Sequence, residues 1–136
     1  MTFKSTRRVE FHDTDMAGIM HFSAYFRFME AAEHELLRHL GTSVVADSPE
    51  GRISWPRVSA TCDFSAPARF EDVLEIEVRV SRLGTKSVTY DFTFTDAGKQ
   101  LARGQMTSVC CRVMPDGSPR STDIPLELVA KLKQFA

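Results

Sequence analysis

Four titratable side chains, His12, Asp13, Asp15 and His21, lie within ten positions of one another in the segment VEFHDTDMAGIMHF, Val9 to Phe22. Between them Ala17 and Gly18 form a small turn through which backbone can approach a ligand closely. A helix starts directly afterwards. Its first-turn N–H groups, near Phe22, have no partner inside the helix and sit at the positive end of its dipole, so they offer a place for an anion or a developing oxyanion. Asp15, seven residues before Phe22, is within reach of a carbonyl held there. A carboxylate so placed can act as nucleophile or general base. The arrangement suits a thioester better than an amide, because a thiol of pKa near ~8.5 departs without strong acid assistance. Spacing alone leaves a second reading open, in which Asp13 and Asp15 form a solvated turn and an Asp caps the helix.

The elements that must position these residues are readable from periodicity. From Phe22 to Leu40 the apolar residues Phe22, Tyr25, Phe26, Met29, Ala32, Leu36 and Leu40 recur every three or four positions, which predicts one long helix ended by Gly41. Thr42 to Ser54 reads as an irregular loop. The period then changes to two. Val58, Ala60, Cys62 and Phe64 alternate with polar residues, as do Leu74, Ile76, Val78 and Val80, and then Val88, Tyr90, Phe92 and Phe94. Turns are expected at Leu83-Gly84-Thr85 and Asp96-Ala97-Gly98, and a last long strand at Gln100–Met114. With Arg7–Phe11 as a first strand and a short terminal helix within Ile124–Phe135, the fold class is α+β: an antiparallel five-stranded sheet around one long helix.

Length and composition narrow the class further. The 136 residues, 43% hydrophobic and 26% charged, fit one globular domain spanning 1–136 with no linker or repeat. A net charge of −1 supplies no overall field for nucleic acid or anionic membrane. With no apolar run of signal-peptide or membrane-spanning type, a cytoplasmic location is expected. Cys62, Cys110 and Cys111 read as reduced packing residues, the last two pointing to opposite faces of a strand.

The segment around Asp15 resembles the active-site motif of the hotdog-fold 4-hydroxybenzoyl-CoA thioesterase family: aspartate, any residue, aspartate, small residues, then a hydrophobic helix. The likeness extends over nearly the whole chain, including Ser65–Leu74 and the turn Arg82–Ser87. It implies a hotdog fold and hydrolysis of an acyl- or aroyl-CoA thioester to the free acid and coenzyme A. The catalytic carboxylate carries over to Asp15 and the carbonyl-polarising backbone N–H to Phe22. Gly18, Ile19 and Tyr25 fall at substrate-binding positions. Tyr25, Phe28 and Glu30 match the family's helix, and Lys86, with Arg82 behind it, matches a coenzyme A phosphate contact. No metal and no cofactor are implied, coenzyme A being part of the substrate. The expected partner is a second copy, as homodimer or homotetramer, with residues opposite Asp15 coming from another chain. Arg57, Thr61 and Asp63 are candidates by strand position.

The sequence departs from the pattern at one site. Many relatives place histidine where Phe22 stands, whereas here it is His21, which either orients water or substrate or starts the helix. Glu33 falls near the middle of the apolar stripe, where a charge needs a partner or a wet cleft. The set His12, Asp15 and His21 could be drawn as a two-histidine, one-carboxylate iron site, but the likeness to a metal-free family accounts for the same residues. Pocket depth is expected to depend on Met20, Trp55 and Met106. Two other readings stay open: a non-catalytic acyl-CoA-binding hotdog protein, and an acyl-thioester hydratase or dehydratase, which would leave the thioester intact.

Overall fold

The computed structural model describes all residues from Met1 to Ala136. A first strand, β1 (Phe3–Arg8), leads through a short 3-10 turn (Phe11–Asp13) to the long helix α1 (Phe22–His39). Strands β2 (Ala46–Ser48), β3 (Gly51–Ser54), β4 (Arg57–Phe64), β5 (Val73–Leu83), β6 (Ser87–Asp96), β7 (Lys99–Val109), β8 (Cys111–Val113) and β9 (Pro119–Ser121) follow. A terminal helix, α2 (Leu126–Lys133), closes the chain. The principal sheet is antiparallel and has five strands in the order β1-β5-β6-β7-β4. This is the expected α+β arrangement.

The alternation read from the sequence builds the core. Leu74, Ile76, Val78 and Val80 of β5 and Val88, Tyr90, Phe92 and Phe94 of β6 are all buried in one core with α1. The helix faces them with Ala24, Tyr25, Phe28, Met29, Ala32, Leu36 and Leu37. Gly104 on β7 leaves room for the helix side chain above it, since a Cβ there would collide with the Met29 sulfur. Gly41, at φ +86°, follows the helix end as the sequence predicts. Lys131 of α2 then donates a 2.9 Å hydrogen bond to the Leu40 carbonyl, satisfying one of the last acceptors of α1. No helix is long and apolar enough to cross a membrane.

The structure corrects four expectations. The first strand is Phe3–Arg8, not Arg7–Phe11, because Val9 turns to exchange backbone hydrogen bonds with Glu71 and Asp72. The Thr42–Ser54 stretch holds the β2–β3 hairpin, which joins β8 and β9 in a second, four-stranded sheet. The last long strand breaks at Cys110, whose N–H donates to the Lys86 carbonyl and whose carbonyl accepts from Thr122, so β8 leaves for that second sheet. Cys110 and Cys111 are therefore both buried, rather than divided between the faces of one strand. Burial pushes the Cys62 and Cys110 thiols up to about 11, which fits inert packing residues. On β4, an edge strand, the apolar row is left partly uncovered: Val58 is 64% and Phe64 48% exposed.

Candidate active site

Between β1 and α1 the chain makes a small hairpin whose limbs meet at a Thr14–Met20 bridge. Asp15 N–H donates to the Ile19 carbonyl (3.0 Å), and Gly18 N–H donates to the Asp15 carbonyl (2.9 Å). The turn needs a residue at positive φ, and Gly18, at +79°, supplies it. Met20 N–H anchors the returning limb on the Ala68 carbonyl at 2.7 Å. Asp15 is left exposed near the tip. Its Oδ1 accepts from Ala17 N–H at 2.8 Å, and Oδ2 has no hydrogen-bond partner within the chain.

The helix begins where the sequence places it, at Phe22, with His21 as its N-cap. His21 Nδ1 accepts from Ser23 N–H (3.2 Å) and lies 2.7 Å from Ser23 Oγ, while its ring stacks on Phe22 with centroids 4.6 Å apart. Of the two roles left open for His21, starting the helix is the one its contacts display. The Phe22 N–H makes no hydrogen bond within the chain and remains available to a ligand. Asp15 and Phe22 line one cleft of about 470 Å³, with Ile19, Met20, Tyr25, Phe64, Ala66 and Pro67 as its other walls. Tyr25 is held there edge-on between Phe64 (5.0 Å) and Phe94 (5.2 Å), and burial pushes its phenol up.

Asp15, Gly18, Ile19, His21, Phe22 and Tyr25 are thus gathered in one region. Phe64, Ala66 and Pro67 join them without having been singled out. Phe64 reads in sequence as one more core-facing strand residue, and only the return of β4 along β7 brings it beside Tyr25. Trp55 and Met106, expected to set pocket depth, are buried elsewhere and do not line this cleft. Arg82 and Lys86 are not brought to Asp15 either. They lie at the β5–β6 turn, whereas the Asp15 hairpin adjoins the other end of β5, roughly 30 Å away at ~3.3 Å per residue. Arg82 instead lines a second cleft of about 460 Å³ between that turn and α2.

The remaining polar candidates have structural partners. Glu33, 1% exposed in the middle of α1, is ion-paired to Arg57 and accepts from Ser108 Oγ at 2.9 Å. Arg57 also reaches His34 Nε2 (3.1 Å) and the Trp55 carbonyl (3.1 Å), and Glu30 at 3.5 Å, so its guanidinium is held inside its own chain. Thr61 and Asp63 are exposed on β4. His12 groups with Glu10 and Asp13 rather than with Asp15 and His21. A cation there would compete with Arg27, which lies 3.4 Å from Asp13 Oδ1.

Fold and site together define a hotdog protein in which Asp15 and Phe22, the one with an unpartnered carboxylate oxygen and the other with an unpartnered N–H, line one apolar cleft. A sequence model described as the thioesterase-like superfamily matches residues 9–132, and the chain belongs to that family. An acyl-CoA thioester hydrolase, YbgC, of Escherichia coli is 30% identical over 132 residues, covering 97% of this chain and 96% of its own. Among solved structures, a gentisyl-coenzyme A thioesterase superposes with a TM-score of 0.82 at 29% identity, covering 96% of this chain and 99% of that one. A 1,4-dihydroxy-2-naphthoyl-CoA thioesterase from Synechocystis superposes at 0.84 and 24% identity, over 99% and 98% of the two chains, a likeness of fold. The chain is accordingly a hydrolase of the thioesterase class.

Proposed function

We propose that this protein hydrolyses an acyl- or aroyl-CoA thioester to the carboxylic acid and coenzyme A, with Asp15 as the reacting carboxylate. The observation that carries the reading is the shared cleft: Asp15, with one oxygen fixed by Ala17 N–H and the other free, lines the same apolar cavity as Phe22, whose N–H has no partner. The thioester carbonyl accepts from Phe22 N–H, and the oxyanion that develops is stabilised there by the helix dipole. Asp15 either attacks the carbonyl carbon, expelling the thiolate and leaving an anhydride that water opens, or takes a proton from the water that attacks. Both routes consume one water and release one acid and one thiol. Ile19, Met20, Tyr25 and Phe64 surround the acyl group, and His21 keeps the helix start in place.

A second copy of the chain completes the assembly. The β1 edge of the sheet carries exposed Lys4, Arg7 and Arg8, charges that discourage strand addition. The β4 edge carries exposed Val58 and Phe64 instead, and Phe64 runs straight into the cleft. A homodimer or homotetramer formed along β4 covers that row, and in it Arg82 and Lys86 of one chain serve the coenzyme A phosphates at the Asp15 of another. Val58→Asp should then shift the protein to monomer in sedimentation, and an unchanged mass would refute the β4 interface.

The activity is tested by following thiol release from a panel of acyl- and aroyl-CoA esters. The wild type should release thiol from at least one, and Asp15→Asn should lose ~10²–10⁴-fold of that rate. Retention of most activity by Asp15→Asn removes Asp15 as the reacting group, and substrate binding without thiol release would make the protein an acyl-CoA binder.

A further inference from the structure

Asp13 is 2% exposed, although it stands two residues from the exposed Asp15 in a loop. A buried carboxylate is costly unless its oxygens are matched by donors or cations, and here both are. Oδ2 accepts from Glu10 N–H at 2.9 Å, tying down the chain as it leaves β1. Oδ1 lies 3.4 Å from the Arg27 guanidinium on α1 and 3.5 Å from His12 Nε2. Its backbone takes part as well: Asp13 N–H donates to the Glu10 carbonyl (3.0 Å), and the Asp13 carbonyl accepts from His21 N–H (2.8 Å).

These contacts meet at the base of the hairpin that carries Asp15. The His21 N–H to Asp13 bond closes the two limbs immediately outside the Thr14–Met20 bridge, and His21 is the residue that caps α1. The Arg27 contact then links the same base to the helix five residues beyond Phe22. One buried side chain thus couples three bodies: the end of β1, the Asp15 hairpin and the start of α1. The relative placement of the Asp15 carboxylate and the Phe22 N–H is set across this joint.

We propose that Asp13 is a positioning residue for the reaction, holding the Asp15 hairpin in register with the N-terminus of α1. The proposal rests on the reading of Asp15 and Phe22 given above. Displacement by ~1 Å of a group that must meet its partner in the transition state costs ~100-fold in rate, while the apolar walls that bind the acyl group are left in place. Loss of Asp13 therefore acts on kcat and spares KM.

The test uses three variants of the full chain, with thiol release as the assay and circular dichroism to confirm folding. Asp13→Ala, which frees Glu10 N–H and Arg27 together, should lower kcat by ~10- to ~100-fold with KM within about twofold of wild type. Asp13→Asn keeps an acceptor for Glu10 N–H and should recover part of that loss. Arg27→Met, which removes only the ion pair, should match Asp13→Asn to within a few-fold. If Asp13→Ala does not fold, the other two variants carry the test. A folded Asp13→Ala with wild-type kcat, Asp13→Asn and Arg27→Met both at wild-type kcat, or a change confined to KM would each overturn the proposal. Loss of activity in Asp15→Asn alongside full activity in the Asp13 variants would sink this proposal alone. Full activity in Asp15→Asn would sink the reading beneath it.

Discussion

Two carboxylates near the long helix have opposite surroundings. Glu33, in the middle of α1, is buried against Arg57 and Ser108. Asp15, on the hairpin before α1, is exposed, holds one hydrogen bond and keeps a free oxygen beside an apolar cleft. Burial pushes the Glu33 carboxyl up, opposed by the Arg57 charge. A perturbed acid is a common marker of a reactive site, but fully partnered buried ion pairs perturb an acid as well, and Glu33 is one of those. Glu33 has both oxygens partnered and lies outside the cleft, whereas Asp15 keeps an oxygen without a partner in the cleft that Phe22, whose N–H is also without one, helps to line. The difference is one of availability: a fully partnered acid stabilises a fold, and a half-partnered one can react.

That contrast can be broken from the helix side first. Phe22 is the first residue of α1, a position where proline is tolerated, and His21 before it has φ −65° and ψ 141°, the extended geometry that a following proline requires. Phe22→Pro should therefore keep the helix while deleting the N–H. The expected loss in kcat is ~10²- to ~10³-fold, the effect of removing one oxyanion donor, with little change in the thermal midpoint.

Glu33→Ala addresses the other carboxylate. It leaves the Arg57 guanidinium partly buried without its main partner and should cost about 3–5 kcal/mol in urea unfolding. The folded fraction should keep its kcat. A variant of unchanged stability would show that the pair does no structural work. Gly104→Ala sharpens the same point in the core beside it: Met29 would have to give way, at about 1–3 kcal/mol, again without effect on the chemistry of folded protein.

The smallest effect is a pH dependence at His34. Burial first, and the Arg57 charge second, push its imidazole below the ordinary value of 6.5. Because the folded form resists protonation more than the unfolded form, the contribution to stability is present above 6.5 and is lost as pH falls through the lower folded value. Between pH 7 and 5 wild type should lose more stability than His34→Gln, and equal losses in urea midpoints would contradict the assignment.

Much of this could be read from the sequence because it depends on near neighbours. The apolar spacing from Phe22 to Leu40 located α1 to within one residue at its end, and the two-residue alternation located β5 and β6. That Asp15 stands in a loop feeding a helix that begins at Phe22 was legible for the same reason, since this is a local pattern. The misses depend on distant contacts. Strands of three or four residues such as β2 and β3 have too few side chains to show a period, and they persist because β8 pairs with β3. The break at Cys110 follows from bonds to Lys86 and Thr122, which spacing does not display. Asp13 looked like a twin of Asp15. Arg27, 14 residues on, His12 and the Glu10 N–H distinguish them.

The most direct test of the central claim sets the two carboxylates side by side. kcat for thiol release is measured for Asp15→Asn and Glu33→Gln, each corrected for the folded fraction. Asp15→Asn should fall by ~10²–10⁴-fold with wild-type stability, while Glu33→Gln stays within a few-fold of wild type. The reverse order, with Glu33→Gln inactive while folded and Asp15→Asn active, would contradict the account.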